Sequence, residues 1–239
     1  MSKVLIFDYD GTFYRSKEEI KINIELIKKA KENGHIFVVA TGRSYSSFMK
    51  EVEKFQIVYD YLILCSGGLI LDRNHHIIHA FNMEHERMDS LTLLMNNYQD
   101  LIISNMFIST FINSKTYEPN LDILKVTYNF PKIDTVYQIK ESIQADFNDA
   151  FKVYVIPTHT ENLVEIISNK TDKAVAIQYL LNWINKKHDI IVAGDSENDL
   201  EMIETFNGYL MSNYDKNIQV NHTKIATSIQ YILDLENII

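Results

Sequence analysis

The chain has 239 residues, of which 46% are hydrophobic and 23% charged, with a formal net charge of −9. That composition suits a globular protein with a sizeable core and argues against a nucleic-acid binder, which needs a basic face. One cysteine, Cys65, excludes an internal disulfide and suits a reducing compartment.

No apolar run approaches the roughly 18 residues of a membrane span. The stretch Val4–Phe7 ends at once in Asp8 instead of running on as a leader, so no membrane partner and a cytoplasmic location are expected. Beyond Val4–Phe7, Ile20–Lys31 carries apolar residues at helical spacing and meets a stop at Gly34. His35–Ala40 is a second apolar run, Tyr45–Phe55 a helical stretch and Tyr61–Cys65 a third run. Continuous apolar strands separated by helices predict a parallel sheet covered on both faces.

From about residue 73 the pattern changes. A strand at His76–Phe81 leads to a helix at Glu84–Tyr98 and strands at Leu101–Ile108 and Ile123–Phe130. A helix at Ile133–Phe147 is then followed by strands at Phe151–Ile156 and Leu163–Ser168. Helix-strand-strand given twice predicts an open antiparallel sheet with helices on one face. The α/β alternation resumes with a helix at Lys173–Lys187, whose Trp183 fits a core-facing stripe. A strand at Asp189–Ala193, a helix at Asn198–Phe206 and a strand at Gly208–Met211 follow. The expected architecture is an α/β, Rossmann-like three-layer core (1–72 and 170–239) with an inserted α+β cap (73–169).

Four polar clusters fall beyond the carboxyl ends of core strands or at the start of the next helix, where ligands sit in open parallel sheets. They are Asp8-Tyr9-Asp10-Gly11-Thr12, Thr41-Gly42-Arg43, the region of Lys173, and Gly194-Asp195-Ser196-Glu197-Asn198-Asp199. Carboxylates converging on one point repel unless a cation neutralises them, and hard oxygen donors in this number suit Mg²⁺. Because the overall charge is negative, an anionic substrate needs positive charge gathered locally.

DYDGT after an apolar strand, TGR after the second, a helix-leading lysine and GDSEND after a later strand resemble the motifs of the haloacid dehalogenase superfamily. The insertion, with its doubled helix-strand-strand pattern, resembles the cap of the Cof-type (subfamily IIB) sugar-phosphatase branch. The resemblance implies a Mg²⁺-dependent phosphatase acting on a small phosphorylated metabolite, a sugar phosphate or phosphorylated cofactor, through an aspartyl-phosphate. Asp8 would be the nucleophile. Asp10 would protonate the leaving alkoxide and then activate water. Asp8, the main-chain carbonyl of Asp10 and Asp195 would hold Mg²⁺, with Asp199 supporting through water. Thr41 and Lys173, with Gly42 between strand and arginine, would bind the transferring phosphoryl group. Asn198 would position Lys173 or a phosphate oxygen, and Arg43 serves either the phosphate or its own loop. The chain departs from the pattern at Ser66-Gly67-Gly68, where many relatives carry Asn-Gly, leaving Ser66 as a candidate hydroxyl.

The seven glycines form neither G-x-G-x-x-G nor G-x-x-x-x-G-K, and no G-x-S-x-G elbow occurs. His75, His76 and His79 have no cysteine near them but Cys65 and no evident second shell, so a zinc site is not expected. A phosphomutase with a similar cap is the alternative, and a non-catalytic phosphate- or metal-binding module is a third reading.

Overall fold

Two sheets organise the computed structural model, which describes residues 2–157, 161–185, 189–214, 216, 218 and 224–239. In chain order the first elements are β1 (Lys3–Phe7), α1 (Lys17–Glu32), β2 (Ile36–Ala40), α2 (Tyr45–Phe55), β3 (Tyr61–Leu64), β4 (Leu69–Asp72) and β5 (Ile77–Ala80). The middle holds α3 (His85–Asn96), β6 (Ser104–Ile108), β7 (Asn113–Ser114), β8 (Lys125–Phe130), α4 (Ile133–Phe147), β9 (Phe151–Pro157) and β10 (Asn162–Ser168). The chain closes with α5 (Lys173–Ile184), β11 (Asp189–Gly194), α6 (Leu200–Thr205), β12 (Tyr209–Met211), β13 (Ile225–Ala226) and α7 (Ile229–Leu235).

The large sheet runs β13-β12-β11-β1-β2-β3-β4-β5. It is parallel from β13 to β3, and β4 and β5 extend it as an antiparallel hairpin. Strand periodicity of two sorts its side chains between the helix layers. Leu5 and Phe7 pack with α1 and α7, whereas Val4 and Ile6 pack with α5 and α6, which makes the core three-layered. The central strand β1 has β2 on one side and β11 on the other. Beyond its carboxyl end the connections diverge and leave a crevice.

The second sheet, β7-β6-β8-β10-β9, is antiparallel throughout. Val126, Tyr128, Phe130, Val164 and Ile166 share one apolar cluster with Met88, Leu91 and Met95 of α3 and with Val136, Ile139 and Ile143 of α4. The helices therefore cover one face, and this is a cap with a core of its own. By the same alternation Lys125, Thr127, Leu163 and Glu165 occupy the opposite face, which looks onto the crevice of the large sheet.

The structure departs from the expected elements at several points. The strand expected at His76–Phe81 as part of the insertion forms as β5 and pairs with β4 in the large sheet. Gln99–Leu101 forms a 3₁₀ turn, so β6 starts at Ser104. Strands β4, β7 and β13 and helix α7 were not anticipated; β7 and β13 are two residues each, too short to show a period. Trp183 is 52% exposed and meets Tyr61 edge-on, because the last turn of α5 overhangs the start of β3. The expected end of that helix, 186–187, lies outside the described residues.

Candidate active site

Strand β1 delivers Asp8 to the crevice, its N–H still bonded to the Ala193 carbonyl of β11 at 2.9 Å. The chain then turns sharply, with Phe13 N–H on the Asp8 carbonyl and Tyr14 N–H on the Tyr9 carbonyl. Gly11 has a φ of +85°, and a Cβ there would lie 2.1 Å from an Asp195 carboxylate oxygen. Glycine thus satisfies the left-handed backbone and lets the loops after β1 and β11 touch. Thr12 Oγ1 completes that junction, donating to Asp195 Oδ1 at 2.6 Å.

Lys173 is the first residue of α5, whose N-cap Asp172 accepts from Val175 N–H. A cation at a helix N-terminus opposes the macrodipole, and this one has no solvent exposure at all. Two carboxylates compensate: Lys173 Nζ donates to Asp8 Oδ1 at 2.7 Å and to Asp199 Oδ1 at 2.5 Å. Burial alone would lower the ammonium pKa, but Asp199 and Asp8 outweigh it and the pKa is raised. Asp199 Oδ2 in turn accepts from the N–H groups of Asp195 and Ser196 and from Ser196 Oγ, each at 3.0 Å. Asp199 is saturated with donors; it anchors the loop and the lysine together.

Asp8, Asp195 and Asp199 each offer a carboxylate oxygen, all within 4.8 Å of one another. Burial raises the Asp8 carboxyl well above its ordinary range, and Asp199 and Asp195 raise it further. Asp195 is pushed up to about 7 by burial and by the neighbouring Asp199. Three acidic side chains thus face one ammonium, which leaves negative charge uncompensated, and the donors are all oxygen. This set fits a small hard divalent cation. Asp10 stands apart: of the carboxylates expected to converge, its own turns outward and is 50% exposed. Arg43 takes both of its oxygens, with Nε on Oδ2 at 2.7 Å and Nη2 on Oδ1 at 2.8 Å. A bidentate guanidinium pair of this kind holds the carboxylate away from the like charges of the cluster. Arg43 also lies over the Tyr9 ring and beside Glu51, so its position is fixed from three sides.

Thr41 follows β2 with its N–H on the Ile63 carbonyl, and its Oγ1 accepts from Arg43 N–H at 3.2 Å. Asn198 does not reach Lys173; its Nδ2 donates to Ser66 Oγ at 3.1 Å and to Glu165 Oε1 at 3.2 Å. Ser66 sits in a left-handed turn, with positive φ at Cys65 (54°), Ser66 (54°) and Gly67 (106°). Non-glycine residues in that region carry strain, of the kind that gathers at working sites. The turn aims Ser66 Oγ at Glu165.

The residues that motif reading missed come from the cap. Glu165 on β10 and Lys125 on β8 form an ion pair of 2.5 Å with side-chain exposures of 2% and 5%. Lys125 Nζ also donates to the Gly42 carbonyl. Burial would raise the Glu165 carboxyl, but Lys125, Ser66 and Asn198 outweigh it and hold it below the usual range. The signal in the sequence was the alternation KVTYNF, which reads as an ordinary solvated strand face. On the far side Glu197, inside the GDSEND loop, accepts from Lys140 Nζ at 2.5 Å and from Val155 N–H at 2.7 Å. Cap and core enclose a cavity of about 1150 Å³ lined by Asp8, Asp10, Thr41, Gly42, Arg43, Asp195 and Asn198 from the core. The three histidines do not cluster: His75 bonds Tyr45 and Tyr59, His76 bonds Asp72, and His79 stacks on Tyr179.

The family model of haloacid dehalogenase-like hydrolases matches residues 5–110 and 96–230. The phosphatase YwpJ of Bacillus subtilis is 24% identical over 262 residues, covering 91% of this chain and 92% of its own. The 5-amino-6-(5-phospho-D-ribitylamino)uracil phosphatase YitU of the same organism is 22% identical over 228 residues, covering 84% and 83%. A subclass IIB sugar phosphatase of the superfamily superposes with a TM-score of 0.78 over the whole of both chains, at 16% identity. The chain belongs to the haloacid dehalogenase-like hydrolases, with the fold and cap of the Cof type. Within that class it is a phosphoric monoester hydrolase.

Proposed function

We propose that this phosphatase hydrolyses a small phosphorylated metabolite through a phosphoryl-Asp8 intermediate, with Mg²⁺ held by Asp8, Asp195 and the Asp10 carbonyl. The observation that carries the reading is the buried Asp8 carboxylate, pinned through Oδ1 to Lys173 and facing a cavity wide enough for a metabolite. Pinning one oxygen leaves Oδ2 as the attacking atom, and the rest of the side chain pays no rotational entropy at the moment of attack. Mg²⁺ would neutralise the clustered carboxylates and the charge that develops on the phosphoryl group.

The chain's own groups do the remainder. Thr41 Oγ1, the Gly42 N–H and Lys173 Nζ would hold the phosphoryl oxygens in place. Asp10 would release one of its two Arg43 bonds and take a proton from solvent at the freed oxygen; it passes that proton to the departing ester oxygen and then takes one from the incoming water, which returns it to its starting form. Arg43 holds Asp10 at the edge of the site between these events. Cytoplasmic location belongs to the same reading. YitU, by its name, acts on a phosphoribityl compound and the subclass IIB relative on a sugar phosphate, which supports a phosphate borne by a polyol or sugar here.

Two measurements test it. Asp8→Asn should fold normally by circular dichroism and lose at least about a thousandfold of its kcat on 4-nitrophenyl phosphate. EDTA should silence the wild-type protein and added Mg²⁺ should restore it. Retained turnover in the Asn variant would mean that another group attacks phosphorus.

A further inference from the structure

On the reading just given, the leaving group lies between the Asp8 loop and the open face of the cap sheet. Among the described residues lining the cavity, that sheet contributes two charged side chains, Lys125 and Glu165. Both are almost fully buried. Their hydrogen-bonding capacity is not exhausted. An ammonium has three protons, and Lys125 spends them on the Gly42 carbonyl and on Glu165 Oε2, with one left. A carboxylate has about four acceptor positions. Ser66 and Asn198 occupy Oε1 and Lys125 occupies Oε2, which leaves one.

One donor and one acceptor therefore remain on bonded neighbours at the cavity wall. The group that complements such a pair is a hydroxyl, which accepts one hydrogen bond and donates another. The pair is also electrically balanced. A second phosphate or a carboxylate on the leaving group would gain from Lys125 only what it loses to Glu165, and an ammonium would meet the reverse. The surrounding face is largely apolar, with Met106, Ile108, Ile156 and Leu163. We propose that Lys125 and Glu165 are specificity-determining residues that read a neutral hydroxyl on the leaving group. The favoured substrate is then a polyol- or sugar-like monoester without a second anionic group near the ester. Glu165 also bonds Asn198 and Ser66, which ties this position to the loop that carries Asp195 and Asp199.

The test compares glycerol 3-phosphate with propyl phosphate, which lacks the hydroxyls, by kcat/KM at saturating Mg²⁺. The wild-type protein should favour the hydroxylated ester by at least about tenfold. Lys125→Met combined with Glu165→Leu should bring that ratio to within about twofold of one. Lys125→Gln with Glu165→Gln, which keeps a donor and an acceptor without charge, should hold it above about threefold. The ratio compares two esters on one protein, so a change in overall rate does not enter it. A wild-type ratio near one overturns the proposal, and so does a preference that survives the apolar pair. If the wild-type protein hydrolyses 4-nitrophenyl phosphate yet does not discriminate, only the hydroxyl assignment fails. If it hydrolyses none of the three esters, the phosphatase reading fails and takes this inference with it.

Discussion

Two buried ionic clusters face the same cavity, one built by the core and the other by the cap. In the core, Asp8, Asp195 and Asp199 surround a single ammonium, Lys173, and burial lifts the first two carboxyls toward their protonated forms. In the cap, one glutamate meets one lysine, and the Glu165 carboxyl is held below its usual range. Both clusters sit out of water, so burial alone does not separate them. The balance of charge does. An excess of like charge is a standing demand for a further cation, which is what phosphoryl chemistry recruits. A matched pair makes no such demand and is suited to shape and hydrogen-bond reading.

The comparison can be broken most severely at its core member. Lys173→Met should cut kcat by at least about a hundredfold by removing a donor to the phosphoryl oxygens, and steady-state assay reads this directly. The same variant leaves Asp8 and Asp199 unpaired, so addition of Mg²⁺ should stabilise it more than it stabilises the wild type.

In the cap the effect should appear in stability. Glu165→Leu alone strands the Lys125 charge in the interior and should cost about 3–5 kcal/mol in urea unfolding. Adding Lys125→Met to it should recover most of that loss. A double variant no more stable than the single one would show that the pair is not the unit described.

A pH series sharpens the contrast. The Asp195 carboxyl keeps its proton up to about pH 7 in the metal-free fold, whereas its ordinary value is 3.8. Between those values the folded protein binds more protons than the unfolded chain, so this group's contribution to stability falls as pH rises through the window. A divalent ion takes the place of the proton, and the rise in Tm on adding Mg²⁺ should therefore be larger at pH 8 than at pH 5. Equal rises at both pH values would mean that Asp195 does not ligate the ion. The smallest change expected is Ser196→Ala, which removes one of the donors to Asp199 Oδ2 and should cost about 1 kcal/mol.

The legibility of the site divides along the same line. Asp8, Lys173, Asp195 and Asp199 follow apolar strands or lead a helix, so their shared position, taken with the motif resemblance, made them candidates, and the apolar runs made the parallel core that carries them legible. The outward turn of Asp10 was not legible, because it depends on Arg43, which lies 33 positions along the chain. Lys125 and Glu165 were not legible either. In an antiparallel strand a polar residue opposite an apolar one reads as solvent-facing, and only the stacking of cap on core turns that face inward. Trp183 failed for the converse reason: its spacing was right for burial, but the sheet beneath it had already ended.

The turn at Cys65–Gly67 has a consequence for how the molecule could be rebuilt. A Cβ on Gly67 would lie 2.2 Å from the Asp172 carbonyl oxygen, and Thr171 Oγ1 donates to the Gly67 carbonyl at 2.9 Å. The two ends of the segment 68–171 thus meet at a backbone contact one residue ahead of Lys173. The ring closed there carries the β4–β5 hairpin of the large sheet as well as the cap. A ring taken from a relative should therefore bring its own partner strand for β3, and keep a glycine at the neck, if the lysine is to stay in place.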